Sequence, residues 1–246
     1  MTTKIDDVLD DLRAEYTRID ALLAGLTETQ WLLASAAPGW SVADTMFHLA
    51  TTEEGVAATI ANGESVWTTR DRPLDEVIED RIAENTGTPE QVFERWRASC
   101  TASIAALESA DPDLAVRWAA APLRPRTLAT TRLAEHWAHL LDIAEPLGLD
   151  YPDTDRIRHV AWLGHATLPY AMRLADLDPV AIRCTLTAPS GAIHIYGPDD
   201  ARSTVTGDMG AFCRVGARRL AAAASGLATS DGDAVAALSV LRNYAA

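Results

Sequence analysis

Near Val180 the hydrophobic repeat of this chain changes period, and that change decides the fold class. Upstream, apolar residues recur at helical spacing: Ile5, Val8, Leu9, Leu12, Tyr16, Ile19, Leu22 and Leu23 form one stripe between Ile5 and Leu26. Ser41 opens a second helix, because Ser41-Val-Ala-Asp44 has the spacing of a capping box, and Asn62-Gly63 is its expected end. A polar segment runs to Gly87, with Asp75 to Glu84 read as a short helix. Thr88-Pro89 then starts a third long helix through Phe93, Trp96, Ile104 and Leu107, broken at Asp111-Pro112-Asp113. A fourth helix is expected after the loop APLRPR, from about Leu128 to Leu147, with Gly148 as its left-handed cap. A fifth covers Thr154 to Arg173. Four of these are long enough for an up-down bundle.

Downstream the period is two. Ile182, Cys184 and Leu186 alternate with Arg183, Thr185 and Thr187, the pattern of a half-buried strand. Pro189-Ser190-Gly191 marks a turn, AIHIYG and ARSTVTG read as further strands, and Met209–Ala224 and Asp233–Tyr244 as helices. The expected fold is α+β: a helical bundle over residues 1–175, then a small α/β domain over residues 176–246.

Charge narrows the function classes. With 246 residues, 48% hydrophobic, the chain can bury a substantial core. Its net charge of -14 repels phosphate backbones, so nucleic acid is not an expected partner. No run of eighteen or more apolar residues and no basic amphipathic segment occurs, so no membrane partner is expected. The N-terminus, MTTKIDDVLDDLRAEY, lacks a basic start and an apolar middle, which reads as a cytoplasmic protein. Cys100, Cys184 and Cys213 are widely spaced, and they read as small buried apolar residues.

Chemistry is concentrated in RLAEHWAHLLD, Arg132 to Asp142. At about 100° per residue, Thr131, Arg132, Glu135, His139 and Asp142 share one polar stripe, opposite Leu133, Trp137, Leu140, Leu141 and Ala144. His136 falls about 100° from Glu135, so it is read as a structural neighbour of the site. His48 stands in the apolar run Met46-Phe47-His48-Leu49-Ala50. A polar stripe alone also describes a solvated face, and a lone histidine among apolar residues also describes a core. Together, however, His48, Glu135 and His139 form a two-histidine, one-carboxylate set with coordination positions left open. Such a set accepts zinc, nickel, iron or manganese. Asp44, on the face of His48, reads as a helix cap or proton carrier, and Glu53 and Glu54 as rim charges.

The two segments resemble the DinB-like superfamily, in the branch of the mycothiol-dependent maleylpyruvate isomerases. Gly39 to Ala50 matches that branch's GW(S/T)V-x-D-x-x-x-H-L-A segment, and Glu135 to Asp142 its E-x-W-A-H-x-x-D segment. TVTGDMGAFCRVGARRL resembles the small sterol-carrier-protein-like domain that follows the bundle in this branch. The resemblance implies metal ligands at His48, Glu135 and His139, with zinc the usual ion, and a low-molecular-weight thiol such as mycothiol as cofactor. It also implies isomerisation or thiol transfer on a small electrophile. Leu140 and His136 depart from the small residue and the Thr often found there. Arginines suit a substrate carboxylate: Arg132 on the metal stripe, and Arg218 and Arg219, which resemble an arginine pair of relatives. The remaining readings are a metal-dependent hydrolase or lyase using bound water, with Asp44 or His136 moving protons, and a non-catalytic metal-binding stress or binding protein. A small-molecule substrate is expected for a monomer or a homodimer alike.

Overall fold

The computed structural model describes residues 5–63, 72–119 and 121–243. The expected polar segment after Gly63 therefore lies partly outside the described residues, as does Tyr244. The helical part contains α1 (Ile5–Leu23), α2 (Glu28–Trp31), α3 (Val42–Asn62), α4 (Leu74–Ala83), α5 (Pro89–Ser109) and α6 (Pro125–Leu147). Helices α1, α3, α5 and α6 form the bundle: α3 packs on α5 and α6, and α1 on α6 and α5.

Local chemistry explains the helix ends. Ser41 and Asp44 form a complete capping box at the start of α3, and Gly63 ends that helix in the left-handed region. Thr88 and Gln91 do the same for α5. Helix α6 starts three residues before Leu128, because Pro125 sits at the first helical position, where no backbone N–H is needed. Gly148 closes it at φ 62°.

Pro146 lies inside the last turn of α6. It has no N–H to give to the carbonyl of Asp142, four residues earlier. That carbonyl instead accepts from the Ala36 N–H at 2.8 Å. Ala36 belongs to the loop between α2 and α3, which is also tied to α3 by the Thr45 hydroxyl donating to Ser35 Oγ at 3.0 Å.

The chain divides into two compact units, one ending at Tyr151 and one beginning at Pro152. Helix α7 (Ile157–Leu174) falls in the second, although its sequence position suggested the bundle. It packs on α8 (Met209–Gly216) and α9 (Gly232–Val240). The sheet has the order β2-β1-β3-β4, from β1 (Ile182–Thr187), β2 (Ile193–Tyr196), β3 (Ser203–Asp208) and β4 (Ala228–Thr229). Strand β1 runs antiparallel to β2 and parallel to β3. Ile182, Cys184 and Leu186 face inward as the alternation requires. On β2 the sides are reversed: Ile193 and Ile195 are exposed, while the Tyr196 hydroxyl turns in to the Arg158 carbonyl. Within this unit His165 is structural, bonded to the Ile182 carbonyl at 2.9 Å.

Helix α8 ends at Gly216, well before the expected Ala224, because Asn243 takes over its end. The Asn243 side chain donates to the Cys213 carbonyl at 3.0 Å and its backbone N–H donates to the Gly216 carbonyl at 2.9 Å. Arg218, two residues on, adopts φ 63°. Among the described residues, no helix is long and apolar enough to cross a membrane.

Candidate metal centre

Helices α3 and α6 bring His48, Glu135 and His139 together. One ligand atom from each of the three lies within 4.8 Å of the others. His48 Nε2 is 3.1 Å from Glu135 Oε1, and His139 Nε2 is 3.5 Å from the same oxygen. His48 is buried and the other two are partly exposed, so the site meets solvent on the α6 side. Asp142, itself buried, accepts from His139 Nδ1 at 3.0 Å and so leaves Nε2 turned toward Glu135.

Trp40 roofs this face. Its ring lies 5.1 Å from that of His48 and stacks at 5.9 Å on that of His139. Its Nε1–H donates to Glu79 of α4 at 3.0 Å. The roof belongs to the loop that Ala36 and Ser35 tie to both ligand helices. Trp40 was legible only as a motif letter; nothing in its spacing announced a wall over two imidazoles.

The charges fit a cation. Burial works against ionising Glu135, but the hydrogen bonds of His139 and His48, helped by the Arg132 charge, hold it well below the usual carboxylate range. Burial lowers His48, only partly offset by Glu135, so this ring is neutral. Burial also opposes charge on His139, but the Asp142 and Glu135 hydrogen bonds outweigh it and raise that imidazole. Two imidazole nitrogens and one ionised oxygen converge, with a second carboxylate fixing one ring, and this donor set suits a divalent ion.

Two consequences can be measured. His139 must be deprotonated to offer Nε2 to a metal ion. Divalent-cation affinity is therefore expected to fall as pH drops through the raised His139 value, above 6.5. The metal-free protein behaves in the opposite sense. Because the folded value is raised, protonated His139 contributes stability that is fully present below the unfolded value and lost as pH rises through the folded one. Zinc competition titrations between about pH 6 and 8 read the first effect, and a pH-independent affinity would remove His139 from the ligand set. Asp142→Asn keeps an acceptor but loses the charge, and is expected to weaken zinc binding roughly 10–100-fold with the helix intact.

Behind the site lies a second polar layer. His136 is fully buried. Its Nε2 accepts from Trp96 Nε1–H at 3.0 Å, and its Nδ1–H donates to the Arg132 carbonyl at 2.9 Å. Trp is a donor only, so this ring is neutral with its proton on Nδ1. Burial pushes its value down to about 3. Glu53, expected at the rim, is fully buried instead. Helix α3 is buried on nearly every side, so the face away from His48 is also core. Glu54 is a rim charge as expected, paired with Arg95 at 2.6 Å.

The other expected site residues have local tasks. Asp44 Oδ2 accepts from the Ser41 N–H at 2.9 Å and from its hydroxyl at 2.6 Å, so it caps α3. Arg132 is buried, with its guanidinium over the Trp118 ring at 4.9 Å, and is not displayed to solvent as a clamp would be. Arg218 and Arg219 lie in the second unit, past the end of α8, donating to the carbonyls of Ser239 and Ala217.

Residues 12–144 match the family of the mycothiol maleylpyruvate isomerase N-terminal domain. Uncharacterized proteins of two Mycobacterium tuberculosis strains are 34% identical over 232 residues, covering 92% of this chain and 88% of theirs. The fold is similar to the crystal structures of the mycothiol-dependent maleylpyruvate isomerase and of a histidine-to-alanine mutant of it. For each, the TM-score is 0.61 at 16% identity, over 93% of both chains.

Proposed function

Since the chain belongs to the mycothiol maleylpyruvate isomerase N-terminal domain family, we propose that it is a divalent-metal-dependent enzyme working with a low-molecular-weight thiol of the mycothiol type. Its reaction is isomerisation or thiol transfer on a small electrophile bearing a carboxylate. The observation that carries this reading is the convergence of His48, Glu135 and His139, the residues at which the motif resemblance implies metal ligands. Zinc is the ion we assign. His48, Glu135 and His139 would hold the ion, which would keep a bound thiol as thiolate at neutral pH, the nucleophile that isomerisation or thiol transfer needs.

The chain's own residues do the rest. Glu135 supplies the anionic ligand, and Asp142 holds His139 in the tautomer that offers Nε2. Trp40 gives the pocket a flat apolar wall against which a planar conjugated substrate can be held. The nucleophilic thiol comes from outside the protein. All three cysteines are buried, and burial raises each thiol, that of Cys184 up to about 12. Free cysteines also suit the reducing cytoplasm we assign to it.

The test is turnover of a small cis-configured conjugated keto acid by full-length protein, stripped of metal or loaded with zinc, with and without mycothiol. Turnover only when both are present is the expected result. Turnover with zinc alone would replace the thiol by metal-bound water, and turnover unaffected by chelation would overturn the reading.

A further inference from the structure

Among the described residues, Glu53 is the most deeply buried acid of the bundle unit that the proposed reaction does not use. Its carboxyl faces Tyr16 from α1, Cys100 and Ser103 from α5, and Arg132 and His136 from α6. Arg132 Nη1 is 4.0 Å from Glu53 Oε1, too far for a hydrogen bond. His136 cannot close the gap, because both of its nitrogens already have partners. Tyr16 and Ser103 turn their hydroxyls toward the Glu53 carboxyl, yet five buried polar atoms make no hydrogen bond at ordinary distance and angle: Glu53 Oε1 and Oε2, Arg132 Nη1, Tyr16 Oη and Ser103 Oγ. Folded proteins leave few such atoms, and a cluster of them around one carboxyl is the setting in which interiors hold water.

We propose that Tyr16, Glu53, Ser103 and Arg132 enclose an internal water site, and that this water-bridged Glu53–Arg132 pair is a positioning device for the metal-binding turn of α6. Arg132 Nη1 and the two hydroxyls supply donors, and the carboxylate accepts, so one or two waters satisfy the whole set. Arg132 stands one turn before Glu135, and its charge acts on both Glu135 and His48. Burial raises the Glu53 carboxyl, while Arg132, Ser103 and Tyr16 favour its ionised form, and the ionised Glu53 neutralises the Arg132 charge from behind. The part-exposed Glu135 and the buried Asp142 and Glu53, set against Arg132, then leave a surplus of negative charge for a divalent ion. This second part rests on the metal reading above; the water site does not.

The experiment uses full-length protein, with zinc as the probe. A high-resolution metal-free crystal structure is expected to show ordered water within hydrogen-bond reach of both Glu53 and Arg132. A dry cluster closed by direct contact would overturn the site. Glu53→Gln uncovers the Arg132 charge, so zinc binding is expected to weaken by roughly tenfold. Arg132→Met is expected to strengthen it, and the double variant to return near wild type. Melting temperatures should fall more for each single variant than for the double, because either partner alone is a stranded buried charge. Single variants that melt early yet bind zinc as wild type does would reduce the pair to a structural one and sink the positioning role. If a single variant does not fold, the double variant and Tyr16→Phe carry the comparison. Tyr16→Phe should lower the melting temperature and leave zinc affinity unchanged. A wild type that binds no zinc overturns the proposed function, and the crystallographic water and the melting-temperature coupling still decide the water site.

Discussion

Glu135→Ala is expected to leave a folded protein that no longer retains a divalent ion. The carboxylate is the one anionic group of the proposed ligand set, and both imidazoles lean on it, His48 at 3.1 Å and His139 at 3.5 Å. Its loss removes the attraction and the geometric pivot together. The affinity loss should be roughly a thousandfold, beyond the 10–100-fold typical of an outer hydrogen-bond partner such as Asp142. The effect on metal-free stability is smaller. His48 Nε2–H loses its acceptor, which costs about 1–3 kcal/mol for a buried group. The lower end applies, because the Glu135 side chain is 28% exposed and water can replace it. Metal content by plasma mass spectrometry, beside a thermal melt, separates the two effects. Zinc retained at one ion per chain would place the ion elsewhere.

Trp96→Ala is expected to come close to unfolding the bundle. Trp96 is 1% exposed and stacks on Phe93 at 5.7 Å, with Tyr16 edge-on at 6.1 Å. Emptying that volume costs about 3–5 kcal/mol. The indole is also the donor to His136 Nε2, and a buried acceptor left alone costs about 1–3 kcal/mol more. Against a typical domain stability of about 5–15 kcal/mol, little remains. Trp96→Phe keeps most of the volume and loses the donor, so its cost should be nearer the second figure. Urea denaturation of both variants gives the split. Equal, small losses would show that His136 finds another donor, and that the Trp96–His136 bond holds nothing together.

How much of this was legible in the chain depends on whether a residue's task is local. Ser41 and Asp44 lie three residues apart and cap α3 as their spacing says. Glu135 and His139 share a face for the same reason, and His48 joined them through the order of two motifs. Glu53 was misread because a wheel drawn on one helix does not count its neighbours. Helix α3 is enclosed, so position on the wheel does not separate core from rim there. Arg132 shares the stripe of Glu135, but the stripe did not say that Trp118, from the loop before α6, lies against it. Helix α7 has a clear apolar face, yet an apolar face does not name its partner, and it went to the second unit. The early end of α8 depends on Asn243, some thirty residues away, which no local pattern could reveal.

Pro146 has a consequence for how the site could change over time. By withholding its own N–H, it releases the Asp142 carbonyl to the Trp40 loop, while the Asp142 carboxylate fixes His139. Ceiling and proposed ligand are thus referenced to opposite ends of one residue, whose dimensions are set by covalent bonds. The gap between indole and imidazole works like a machined gauge. Swaps of Leu or Val deep in the bundle can drift without resetting it, which leaves the open side, where Glu135 meets solvent, as the part of the proposed site freest to vary.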